Sequence, residues 1–554
     1  MFALETITLV LILWAGPAMS GRPTQQQVKV ADAVSYKQPY RPQLHFTPQK
    51  NWMNDPNGLV YFEGEYHLFY QYNPFGDKWG HMSWGHAVSK DLLHWQHLPV
   101  AVPEENGVMI FSGSAVVDEK NTSGFGLSGK PPMVAIYTGY HPTDGRQDQR
   151  LAYSTDRGRT WTKYSGNPVI DIQSTDFRDP KVFWYERGKR WIMAVALAAE
   201  RKVRFYASPD LKRWTHLSDF GPAGAIGGAW ECPDLFELPV DGKPGRTEWV
   251  LIVNVNPGGV AGGSGAQYFI GSFDGTRFSL EREAKLLSAP RGDILADFER
   301  ASYDSWMITS SKDSARWVDY GKDFYAVVSW SNIPPKDGRR LWVGWMNNWE
   351  YGQEIPTSPW RSAQSIPREA RFKTYSDGLR LVQSPVAELE RLRQSHYTLS
   401  NKMIAAGSDP LSGQRISGKT LEIIATFEPG SSSEFGLKVR KGANEETLAG
   451  YDVANAELFV DRSRSGKVDF NPRFPGKHSG PLSVEQGRIK LHLFVDWSSV
   501  EVFGHDGRTV ITEQIFPGPE ADGLALYAKG GTARLISLDI WGLQSIWKTA
   551  SGVE

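Results

Sequence analysis

The chain has 554 residues, with 61 Lys and Arg against 62 Asp and Glu, a formal net charge of −1. That length implies two large domains or three ordinary ones, burying enough apolar surface that no cross-link is needed. Near-neutrality without a long basic run argues against a nucleic-acid or anionic-membrane partner, and the single cysteine, Cys232, rules out a disulfide framework and a thiolate metal cluster.

In chain order, residues 7–15 form a short apolar stretch, followed by Gly16-Pro17 and Ala18-Met19-Ser20. The small residues at 18 and 20 fit a cleavage site, so residues 1–20 read as an export signal and the protein as secreted or periplasmic, although this segment carries Glu5 and no Lys or Arg before the apolar stretch. The stretch is too short to span a bilayer, and no later window is apolar enough to do so.

A phrase then recurs: Ser89-Lys90-Asp91 leading to Trp95, Ser154-Thr155-Asp156 to Trp161, Ser208-Pro209-Asp210 to Trp214, and more loosely Ser272-Phe273-Asp274 to Phe278. Each closes a block of alternating, aromatic-rich runs, such as 58–62 and 66–70 around Glu63-Gly64-Glu65, or 181–185 and 190–196 around Arg187-Gly188-Lys189. Such runs are hairpins. Five units of this kind predict an all-β fold, a five-bladed β-propeller over residues 38–375.

The repeats align three acids. Asp55-Pro56, Asp179-Pro180 and Glu231-Cys232-Pro233 each stand where the first strand of a unit begins. First strands line the axis of a propeller, so these carboxylates should converge at one end of the central funnel. Packing alone rarely brings like charges together, because each raises the other's pKa. Two converging carboxyl groups are what glycosidic hydrolysis requires. Metal binding, the rival use, would want an oxygen-ligand loop that the sequence lacks, so no metal and no cofactor is expected. Aromatics at 12% of the chain, with 21 Trp and 21 Tyr, suit a carbohydrate ligand.

The run Asn51-Trp52-Met53-Asn54-Asp55-Pro56-Asn57-Gly58 resembles the signature of the glycoside hydrolase family 32 β-fructosidases. Phe111-Ser112-Gly113-Ser114, Arg178-Asp179-Pro180, Glu231-Cys232-Pro233 and Gly344-Trp345-Met346-Asn347-Asn348-Trp349 match the family's later motifs in order. The resemblance implies a retaining enzyme that releases terminal fructose from levan, inulin or sucrose. In it Asp55 is the nucleophile, Glu231 the acid and then the base, and Asp179 a holder of fructose hydroxyls. Spacing alone does not separate Asp55 from Asp179. Asn54, Gln71, Trp79, Phe111, Ser112, Arg178 and Trp349 match the family's substrate-binding positions. Arg178 beside Asp179 predicts that Asp179 stays ionised, and Trp230, Cys232 and Pro233 predict apolar surroundings for Glu231. The same fold would also serve a fructosyltransferase, or a fructan-binding propeller without turnover.

Other features are decoys. Gly413 to Thr420 fits the P-loop expression, but the strand-like run 421–427 follows it where a helix is required. His81, His86, His94 and His97 lie on strand-like runs without metal-ligand spacing, and Cys232 has no evident base. Asp319 and Asp323 open the fifth block and stay outside the predicted site.

The last third is a separate module. Ser384-Pro385 predicts a helix start, with Val386, Leu389 and Leu392 on its apolar face, inside a connector spanning 376–396. Runs at 421–427, 437–440, 490–496, 500–503, 509–513 and 524–528, with a tight turn at His505-Asp506-Gly507-Arg508, predict a β-sandwich over 397–548. Nothing in the sequence fixes the oligomeric state.

Overall fold

The computed structural model describes residues 35–280, 315–414 and 416–547; the predicted export signal lies outside the described residues. Alternating apolar strands separated by tight turns give hairpin after hairpin. Glu63 and Gly64, both at positive φ, form a two-residue turn between Asn51–Phe62 and Glu65–Tyr72. Ser83–Ser89 and Trp95–Val102 complete that first blade.

The second blade is Met109–Val117, Met133–Tyr140, Gln147–Ser154 and Thr162–Lys163, and the third is Phe177–Tyr185, Arg190–Leu197, Lys202–Ser208 and Thr215–Phe220. Ala229–Val240, Lys243–Asn256, Gly265–Phe273 and Phe278–Leu280 make the fourth. Tyr325–Ser329, Arg340–Met346, Arg368–Tyr375 and Gly378–Pro385 make the fifth. The five first strands contact one another in sequence and the last meets the first, closing a five-bladed propeller.

The repeated phrase has a local cause. Asp91 Oδ1 accepts the backbone N–H of Leu93 and His94, while Trp95 Nε1 donates to the Leu92 carbonyl. Asp210 does the same for Lys212 and Arg213 while Trp214 donates to Leu211, and Asp274 accepts from Thr276 and Arg277. The phrase is thus an Asp-capped loop, pinned by an indole in its three tryptophan-bearing copies, that joins the third and fourth strands of a blade.

The connector differs from the sequence expectation. Gly378–Pro385 is the outer strand of the fifth blade, paired in full with Arg368–Tyr375, so Ser384 and Pro385 end a strand instead of starting a helix. Ala387–Leu392 is a short 3₁₀ helix without a side-chain cap. Val386, Leu389 and Leu392 are buried as the apolar pattern implies, but their spacing of three is that of a 3₁₀ turn.

Two sheets follow. One is ordered Arg393–Ala405, Thr532–Leu543, Leu421–Glu428, Ile489–Val495, Ser499–Gly504, Thr509–Gln514. The other is ordered Lys477–Pro481, Glu457–Arg464, Glu446–Asp452, Glu434–Lys441, Gly523–Lys529. Their facing sides share one aliphatic core, as a sandwich requires. Leu421–Glu428, after the P-loop-like run, is a strand.

Buried charges join the two domains. His45 sits between Asp496 and Glu501, at 2.7 and 2.8 Å. Arg368 bridges Glu501 and Asp319, and Arg462 bridges Asp323 and Glu513. Asp319 and Asp323 therefore belong to this interface and not to the funnel. Burial disfavours a charged His45, but hydrogen bonds to Asp496 and Glu501 outweigh it and raise its pKa from 6.5 to about 9. A raised value stabilises the fold fully below pH 6.5, and the contribution is lost as pH climbs through 9. His45→Gln should lower unfolding stability by about 3 kcal/mol near pH 6, since it strands two buried carboxylates. The gap to wild type should narrow as pH rises past 9 in denaturant titrations.

Candidate active site

All five inner strands break their ladder at the same height. Asn54 and Asp55 stand opposite Gln71 alone, Phe111 and Ser112 opposite Thr138, and Asp179 and Pro180 opposite Val195. Cys232 and Pro233 stand opposite Val253, and Ala326 and Val327 opposite Gly344. Each is a β-bulge of two residues against one, which kinks the strand and re-aims its side chains. Asp179, Cys232 and Ala326 take positive φ of 66°, 44° and 52° to do so. Proline stands in the bulge at Pro180 and Pro233 and just past it at Pro56, which suits a residue with no N–H to give the ladder.

The bulges gather the three predicted acids. The Cys232 backbone N–H donates to Asp179 Oδ2 at 3.0 Å, and its Sγ lies 3.6 Å from that oxygen and 3.7 Å from Asp55 Oδ2. Glu231 is the next residue along the strand. Ser112 Oγ donates to Asp55 Oδ2 at 2.6 Å and Asn54 Nδ2 to Asp55 Oδ1 at 3.1 Å. Arg178 Nε donates to Glu231 Oε1 at 3.0 Å, and the Tyr325 hydroxyl donates to Glu231 Oε2.

The other predicted residues form the surround. Trp79, 37% exposed, meets Phe111 edge-on at 6.0 Å, and Phe111 stacks on Tyr140 at 4.5 Å. Trp349 packs against Trp52 and Trp345. Gln71 Nε2 donates to the Ile110 carbonyl, tying the first blade to the second.

Two electrostatic expectations change. Arg178 aims its guanidinium at Glu231 and Asp176, and burial together with Glu231 overrides its pull on Asp179, whose pKa rises to about 7. Glu231, expected among apolar groups, is clamped by a cation and a phenol instead. Burial, opposed by the Ser112 bond and assisted by the Glu231 charge, raises Asp55 to about 6. Cys232 is pushed well above an ordinary thiol, by burial and then by the acids, so it stays protonated as a donor between them. Sequence reading missed Tyr325, whose bulge carries neither proline nor acid, and gave Cys232 no place in the hydrogen bonding.

Buried carboxyl groups of raised pKa, held by oriented donors at one end of a propeller, are the kind of arrangement that glycosidic hydrolysis uses. Residues 45–385 match the glycosyl hydrolases family 32 N-terminal domain and residues 388–542 the glycosyl hydrolases family 32 C terminal. A levanase of Bacillus subtilis is 54% identical over 94% of this chain and 72% of its own length. An extracellular exo-inulinase of Aspergillus ficuum is 42% identical over 94% of this chain and 97% of its own. The crystal structure of an exo-inulinase from Aspergillus awamori superposes with a TM-score of 0.85 at 41% identity, covering 93% of this chain and all of that one. The chain belongs to glycosyl hydrolase family 32.

Because the Ser112 bond favours ionised Asp55, Ser112→Ala should raise the Asp55 pKa further. The acid limb of kcat/KM, expected near pH 6 in the wild type, should move to higher pH in a pH-rate profile.

Proposed function

We propose that the protein is an exported, retaining exo-β-fructosidase that removes terminal fructose from β-fructans of the levan or inulin kind and from sucrose. The observation that carries this reading is the meeting of Asp55, Asp179 and Glu231 around Cys232, on three blades of one propeller. Similarity to a levanase and to an extracellular exo-inulinase supports the substrate class and the export. Among the described residues no helix is long and apolar enough to cross a membrane.

In the first step an Asp55 oxygen attacks the anomeric carbon of the terminal fructosyl unit. The glycosidic C–O bond breaks and Glu231 passes a proton to the departing oxygen. In the second step Glu231 takes a proton from water, whose oxygen displaces Asp55, and fructose leaves with its configuration retained. Both steps balance with substrate, water and two carboxyl groups. Asn54 and Ser112 fix the nucleophile, and Arg178 and Tyr325 fix the acid. Asp179 would accept ring hydroxyls and offset positive charge at the transition state. Trp79, Phe111 and Trp349 would wall the fructose ring, with Gln71 at the base. Asp55, raised to about 6, must be ionised to attack, so the first step should slow as pH falls through 6.

Fructose release from levan, inulin and sucrose, measured for wild type and Asp55→Asn, tests the proposal. The substitution should cut kcat by about 10⁴-fold on every substrate with folding unchanged. Undiminished release would remove Asp55 from the chemistry. Tri- and tetrasaccharides growing out of concentrated sucrose would reveal transfer instead, and levan binding without release a binding module.

A further inference from the structure

One exposed aromatic stands outside the site just described. Among the described residues Phe75 is the most exposed large apolar side chain, at 77%. It lies in the loop 73–82 between Glu65–Tyr72 and Ser83–Ser89, at the end of the first blade where Asp55 is found. This is the loop that carries Trp79.

The loop is braced on both flanks. Asn73 Oδ1 accepts the Phe75 N–H at 2.9 Å and Asn73 Nδ2 donates to the Lys78 carbonyl at 2.8 Å. The Asn51 side chain donates to the Pro74 carbonyl at 2.8 Å, and the Trp52 N–H donates to that of Gly76 at 3.0 Å. Asp77 pairs with Arg361 at 2.9 Å, and the Lys78 ammonium donates to the Gln353 carbonyl. The ring meets His81 edge-on at 5.3 Å, and His81 is held by Glu104 at 2.8 Å. A phenyl group is thus carried on a braced loop and turned to water. Folding gains little from that arrangement, because apolar surface is worth something only when covered.

We propose that Phe75 is an outer subsite of the active site, stacking on a fructosyl unit further along the polymer whose terminal unit occupies the pocket beside Trp79. The C–H face of the sugar covers the ring, and the braced loop means that little ordering entropy is lost on binding. Sucrose has only one unit beyond the scissile bond and leaves Phe75 uncovered. The residue therefore favours long substrates through binding and not through the chemical step. This assignment rests on the fructan reading above.

Kinetics on levan, inulin and sucrose with Phe75→Ala and Phe75→Trp test it. Phe75→Ala should raise KM for levan and inulin by about fivefold or more with kcat nearly unchanged, the mark of lost uniform binding. Sucrose kinetics should stay within about twofold of wild type, and Phe75→Trp should restore the polymer KM. Equal changes on all three substrates, or no change on any, would overturn the subsite. If the wild type released no fructose at all, the function reading would fail separately. Retardation in levan-containing native gels, in an Asp55→Asn background, would then decide the subsite: lost in Phe75→Ala it stands, unchanged it falls.

Discussion

The structure turns on one constraint of the β ladder: two residues cannot face one partner without the strand bending. Repeated at the same height in five inner strands, that bend forms a ring of bulges around the propeller axis. Regular pairing would carry successive side chains to opposite faces, into the packing between blades. The bulges free Asp55, Ser112, Asp179 and Cys232 from that alternation. Left-handed backbone at Asp179, Cys232 and Ala326 costs on the order of 1–2 kcal/mol per residue, which the surrounding blades must offset.

The same ring sets the electrostatics. Buried acids this close resist full ionisation, and the donors around them decide how the charge is distributed. Asp179 takes a backbone N–H from Cys232, Asp55 takes a hydroxyl and an amide, and Glu231 takes a guanidinium and a phenol. Three acids that look alike in sequence thus receive three different sets of partners. Side-chain direction, and not neighbourhood along the chain, makes the difference. Arg178 precedes Asp179 yet serves Glu231.

What could be read from the sequence follows from these causes. The acid-before-proline motifs were legible because a missing N–H leaves a trace in composition, and they placed Asp55, Asp179 and Glu231 on inner strands. The second and fifth bulges leave no such trace. Ser112 was reached only through family resemblance, and Tyr325 was not reached at all. The Asp-to-indole phrase exposed the blade count because its loop needs those residue types. In the sandwich, strongly apolar strands such as Leu421–Glu428 stood out, while Arg393–Ala405, polar along most of its length, did not. The connector was misassigned because an apolar step of three fits a helical stripe as readily as a 3₁₀ turn.

Among the described residues the sandwich makes no hydrogen bond to Asp55, Asp179 or Glu231, yet it holds Asp496 and Glu501, the counter-ions of His45 and Arg368. The exchange runs both ways, since Arg462 belongs to the sandwich and Asp323 to the propeller. Severed at Val386, each half would expose stranded ions on a surface shaped for its mate. The pair is therefore one hereditary and manufacturing unit: a gene fragment encoding either half alone should yield insoluble protein, and shuffling between relatives must exchange both halves or keep these ions matched.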